Sequence, residues 1–154
     1  MPGKEGKHLL NALFTPTGFL RYGGIVLLLV GVVGVLGVFN SFSFFSLDTG
    51  ENIAHLALGV VGAGAGFFIA SQSIHRLLTI VVFVTAAVFT VWGLFLPDGG
   101  ALTNGAFAKP NFYGLANLES PADSILHLVV AAWAGLALWM NMKQPAVAAA
   151  PASR

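Results

Sequence analysis

Cysteine is missing from the chain altogether, so no disulfide, thiolate-held metal or iron–sulfur cluster is open to it. Charge is nearly as scarce: Asp, Glu, Lys and Arg make up 8% of the 154 residues, with a formal net charge of +1. A nucleic-acid surface needs a dense cationic face, so that class of partner is excluded. A phosphate-cradling loop is lacking too. Gly62, Gly64 and Gly66 have the spacing of a fragment of one, but they lie inside an apolar run, where glycine serves helix packing. No pairing of a nucleophile with a base stands out, and the chain reads as non-enzymatic.

Apolar residues dominate what is there, at 56% of the chain with a mean hydropathy of +0.84. That is the balance of a membrane protein rather than of a water-soluble domain. About 20 mostly apolar residues cross a hydrocarbon core of roughly 30 Å. Four stretches qualify: Tyr22–Asn40, Asn52–Ser71, Arg76–Leu96 and Ala122–Met142. The expected architecture is all-α, a four-transmembrane-helix bundle over residues 22–142. It is preceded by a cytoplasmic or interfacial segment, 1–21, and followed by a disordered, Pro- and Ala-rich tail, 143–154. The first apolar run is too long for a secretory signal and no small-x-small cleavage site follows Phe39, so it reads as a retained helix.

The few charges set the topology by where they fall. Lys4, Lys7 and Arg21 precede the first span, Arg76 lies between the second and third, and Lys143 and Arg154 follow the fourth. Of the lysines and arginines, Lys109 alone falls in the remaining two loops. Positive charge stays on the cytoplasmic side, which places both termini there. Thr15-Pro16-Thr17 reads as a break before the first span, whose Gly31, Gly34 and Gly37 form a smooth packing strip. Ser71-Gln72-Ser73 is a short turn, making spans two and three antiparallel neighbours. His75 and Arg76 then anchor the third span at the headgroups, and that span, without an ionisable group inside it, reads as lipid-facing support.

The chemistry concentrates in the openings of spans two and four. With an offset of 72, Asp48, Glu51, His55 and Leu56 align with Ser120, Asp123, His127 and Leu128. Both spans run the same way, so the two histidines are set at equal depth, as in two helical hairpins related by a parallel pseudo-repeat. Asp48 and Glu51 are spaced as a capping box, and Ser120, Pro121 and Asp123 as another helix start. Small residues continue each face: Gly59, Gly62 and Gly66 after His55, Ala131 and Ala134 after His127.

Ionisable groups in a membrane face protein and take a partner. One reading is structural, with histidines bonding an acid, a carbonyl or each other as interhelical glue. The other is ligation: His55 and His127 hold the iron of a haem or the magnesium of a (bacterio)chlorophyll, Glu51 and Asp123 stand behind them, and the small-residue faces leave room for the ring. A metal held directly by protein has less support, since neither Glu-x-x-His nor His-x-x-x-His occurs. A proton relay through Glu51, His55, His127 and Asp123 is a further alternative.

Glu51-Asn52-Ile53-Ala54-His55-Leu56 and Ala122-Asp123-Ser124-Ile125-Leu126-His127-Leu128 resemble the paired motifs of an uncharacterised bacterial integral-membrane family, a domain of unknown function. The resemblance covers most of Tyr22–Met142. It implies a four-helix membrane fold with the two motifs paired, in a bacterial inner membrane of cytoplasmic or photosynthetic type, and it implies no activity. The leading functional expectation is an accessory or structural subunit packed against a larger membrane complex. Its contacts are Phe42, Phe44 and Phe45 of the first connector and Phe107, Phe112 and Tyr113 of the long third loop. The alternative is a tetrapyrrole-binding subunit of an electron-transfer or photosynthetic complex, and a small transporter comes third.

Overall fold

A computed structural model of the chain describes residues 12–41, 47–96 and 121–142. Among these the fold is all-helical, with four long α-helices: α1 (Pro16–Val35), α2 (Thr49–Phe68), α3 (Gln72–Phe95) and α4 (Ala122–Met142). Three are long and apolar enough to cross a membrane, namely α1, α3 and α4, at 20, 24 and 21 residues. The sequence reading counted four such stretches. The shortfall is α2, where a polar first turn with Glu51 and Asn52 and a run of glycines dilute the apolar content.

The helix ends follow from local chemistry. Thr15 caps α1: its hydroxyl accepts from the Gly18 N–H at 3.0 Å, and Pro16 takes the first turn, where a missing N–H costs nothing. Thr15-Pro16-Thr17 is therefore the start of α1, six residues before the expected Tyr22. At the other end α1 stops at Val35 rather than Asn40, because Gly37 takes a left-handed conformation with φ 73° and its N–H bonds the Gly34 carbonyl at 2.9 Å. Gly37 thus ends the helix instead of extending its packing strip. A short 3₁₀ turn, Val38–Ser41, follows.

The capping box at α2 is present in full: Asp48 Oδ1 accepts from the Glu51 N–H and Glu51 Oε2 from the Asp48 N–H, both at 2.8 Å. Ser71 is the N-cap of α3, accepting from the Ile74 N–H at 3.4 Å, so the turn is Ile69-Ala70-Ser71 and α3 begins at Gln72. The Pro121 carbonyl accepts from the Ile125 N–H at 3.0 Å in the first turn of α4.

Packing pairs α1 with α2 most extensively and α3 with α4 next, while α1 also touches α3 and α4. The short α2–α3 turn does not make its helices close neighbours, since they meet only slightly. Glycine explains the difference. A Cβ on Gly24 would stand 2.3 Å from the Ala63 nitrogen, and one on Gly59 2.7 Å from the Leu28 nitrogen, so the α1 and α2 backbones lie against each other with no layer of side chains between. Phe19 and Leu20 of α1, Ala65 of α2, and Ala134 and Ala137 of α4 form the buried centre. There Phe19 meets Trp133 edge to face at 5.0 Å between ring centroids, and the Trp133 indole N–H donates to the Leu13 carbonyl at 3.1 Å.

Gly24→Ala should force α1 and α2 apart and lower stability in mild detergent by about 1–3 kcal/mol. Gly64→Ala, whose Cβ meets nothing within 4 Å, should leave stability unchanged. Denaturation midpoints of the two variants against the parent check this.

Candidate functional site

His55 stands in the second turn of α2 and His127 in the second turn of α4, and both rings are half-buried. His55 Nδ1 lies 2.7 Å from the Glu51 carbonyl oxygen, and His127 Nδ1 lies 2.8 Å from the Asp123 carbonyl oxygen. A carbonyl only accepts, so in each ring Nδ1 carries the proton and donates it to the residue four positions earlier. In the neutral ring Nε2 is then an unprotonated lone pair. No hydrogen-bond partner for either Nε2 occurs among the described residues. A histidine that holds a metal is oriented in this way, its second nitrogen tied to a carbonyl or carboxylate.

The two acids therefore act on the rings through their backbone carbonyls, at contacts the spacing alone left open. Glu51 is 7% exposed, its carboxylate engaged in the α2 cap, and Asp123 is 4% exposed. The α2 and α4 helices are not among the pairs that pack extensively. The His127 ring also leans on Phe89 of α3, 5.2 Å between centroids and tilted by 43°. Asn52, one turn from His55, is buried with its amide donating to the Leu47 carbonyl at 3.4 Å, and its Oδ1, against Gly34, has no hydrogen-bond partner among the described residues. The proposed contacts Phe42, Phe44, Phe45, Phe107, Phe112 and Tyr113, and the cap Ser120, lie outside the described residues.

His75 is where sequence reasoning went astray. Expected as a headgroup anchor, it is 1% exposed and is the largest fully buried side chain among the described residues. Its Nε2–H donates to the Ala65 carbonyl of α2 at 3.0 Å, and its Nδ1 lies 2.7 Å from the Thr17 hydroxyl of α1. Beside it, Arg21 of α1 donates from Nε to the Gly66 carbonyl, with its guanidinium 5.3 Å from the centre of the Phe67 ring. Two side chains from different helices thus hold the carbonyl end of α2, where the helix dipole favours a cation. The third span is a structural participant at this end, not mere lipid-facing support. Pro16 was the available signal: placed in a first turn, it extends α1 back to Thr17 and within reach of His75.

Replacing His75 with Ala removes the partner of the buried Ala65 carbonyl and leaves the Thr17 hydroxyl only its 3.4 Å contact with Gln72 Oε1, and should cost about 1–3 kcal/mol. Thr17→Val should cost less once His75 is gone than it does in the parent, and a double-mutant cycle in detergent measures that coupling.

No protein-family model, curated protein or solved structure matches this chain.

Proposed function

We propose that the chain is a small, non-enzymatic integral-membrane subunit that packs against a larger membrane complex. The observation that carries this reading is how its internal polar groups are spent. Asp48 and Glu51 cap α2, His75 and Arg21 bind the far end of that helix, and Thr79 and Thr90 donate to the carbonyls of His75 and Ala86, each at 2.8 Å. These groups fasten helices and are not turned toward a substrate path. Because α2 lies along α1, it returns across whatever α1 crosses, making four spans and two hairpins. The distribution of Lys and Arg supports both termini lying in the cytoplasm, and the resemblance to a bacterial membrane family supports a bacterial inner membrane. The likeness of the two histidine motifs to the uncharacterised membrane family accords with this.

A second reading is favoured by the matched imidazoles. His55 and His127 each turn an unprotonated Nε2 away from their own helix, the state in which imidazole coordinates iron or magnesium in a haem or (bacterio)chlorophyll. Such a ligand would make the subunit part of an electron-transfer or photosynthetic complex. A proton relay through Glu51, His55, His127 and Asp123 has less support, since the Thr79 and Thr90 hydroxyls that lie along α3 donate to their own helix.

Comigration with a larger complex on a native gel after mild solubilisation is the outcome expected for the accessory subunit, and recovery of free protein alone would overturn it. For the second reading, gently purified protein should absorb in the Soret region, and His55→Ala or His127→Ala should remove that absorbance. Colourless protein from pigment-replete cells would count against ligation.

A further inference from the structure

Two arginines stand at the end of the bundle opposite His55 and His127. Thr17 of α1 and Gln72 of α3 meet there, hydroxyl to Oε1 at 3.4 Å, and Arg21 and Arg76 each follow one of them by four residues. The two helices run the same way from that contact, since the buried centre around Phe19 and Leu20 packs next against Leu78 and Val82 of α3. A step of four residues keeps to one helix face, so the two cations share a depth. That depth is roughly 6–8 Å from the helix starts at 1.5 Å per residue, which is headgroup level.

Arg21 is held from two sides. Its Nε–H is given to the Gly66 carbonyl and its guanidinium lies over the Phe67 ring at 5.3 Å, so the plane is fixed while both Nη groups remain to donate. Arg76 is exposed. Neither arginine makes an ion pair, or any further hydrogen bond, among the described residues. A planar guanidinium with free Nη groups matches the oxygens of a phosphate.

The charge of the whole chain is divided in the same sense. Of its seven Lys and Arg all but Lys109 fall before or within α1, at the start of α3 or after α4, and of its six acids only Glu5 falls in those segments. Surplus positive charge at headgroup level attracts lipids of negative charge. Apolar side chains flank the arginines, Phe68 at 89% exposed and Leu77 at 60%. Beyond the turn α2 and α3 part, leaving a narrow apolar cleft between the hairpins, which at about 130 Å³ is too small for a lipid tail.

We infer that the arginine end binds one phospholipid of net negative charge from the leaflet it faces. Arg21 grips the phosphate through its Nη groups, Arg76 adds the second cation, and the tails stay in the bilayer along Phe68 and Leu77. This site needs α1 and α3 to cross a membrane and is independent of what His55 and His127 hold and of any larger complex. A zwitterionic phospholipid offers the same phosphate with a cation of its own, and so isolates the part played by net charge.

Native mass spectrometry of the purified full chain in mild detergent, titrated with phosphatidylglycerol or with phosphatidylcholine of matched tails, counts the bound lipids and gives their affinities. Phosphatidylglycerol should bind at least ~10-fold more tightly, a difference of about 1.4 kcal/mol, and saturate at one per chain. Arg76→Gln should weaken it about 5-fold. Arg21→Lys, which keeps the charge and loses the fork, should weaken it as well, and Lys109→Gln, the same loss of charge elsewhere in the sequence, should change neither lipid. Inorganic phosphate at the lipid's own concentration should displace none of it. Helical circular dichroism and the detergent elution profile identify a variant that has failed to fold, and the exposed Arg76 decides the inference if Arg21→Lys does so. Equal affinity for the two lipids, phosphatidylglycerol binding that Arg76→Gln leaves intact, or an equal loss in Lys109→Gln would overturn the site. Displacement by inorganic phosphate would overturn lipid as its occupant, and a folded Arg21→Lys without loss would overturn the grip assigned to Arg21.

Discussion

The fold depends on the direct approach of two backbones, α1 and α2. Gly24 against Ala63 and Gly59 against Leu28 leave no space for even a methyl group, and that intimacy substitutes for the driving force a water-soluble core would have. Inside a bilayer apolar side chains gain little by leaving lipid for one another, so association rests on close packing and on hydrogen bonds across the contact. The α1–α2 pair has both: the glycine strip along its length, and Arg21 on the Gly66 carbonyl at one end.

From that pair the other helices are positioned in turn. His75 brings the start of α3 to the end of α2 and to Thr17 of α1, so three helices converge on one imidazole. Trp133 brings α4 against Phe19 and the Leu13 carbonyl. Because α1 is the common neighbour, α2 and α4 are held apart while facing the same region, and the cleft between the hairpins follows from that spacing. The two site histidines stand at one end of this arrangement and His75 at the other. The two kinds of histidine differ in what their Nε2 atoms do: in His75 it is bonded to the Ala65 carbonyl, whereas in His55 and His127 it is left over after Nδ1 has bonded to the ring's own helix.

Much of this was legible residue by residue, and the departures share one cause. Asp48 and Glu51 announce the α2 start because a capping box is closed within four residues and needs no tertiary partner. Thr15-Pro16 and Ser71 were misjudged because a proline or serine beside an apolar run signals a boundary without saying on which side of it the helix lies. Moving those starts to Pro16 and Gln72 carries Thr17 and His75 from supposed loops into helices and brings them together. Gly37 was counted with Gly31 and Gly34 by spacing, although its positive φ belongs to a helix end.

By itself the sequence determined the helical class, the apolar character, the duplicated Glu/Asp-x-x-x-His opening and the scarcity of charge, since each is local or compositional. Tertiary structure alone decided that α2 packs on α1 instead of on α3 and that His75 is an interior contact. These depend on helix rotation about the axis and on which backbones approach. A periodic apolar pattern in lipid leaves rotation open, because nearly every face is apolar enough to turn toward either lipid or protein.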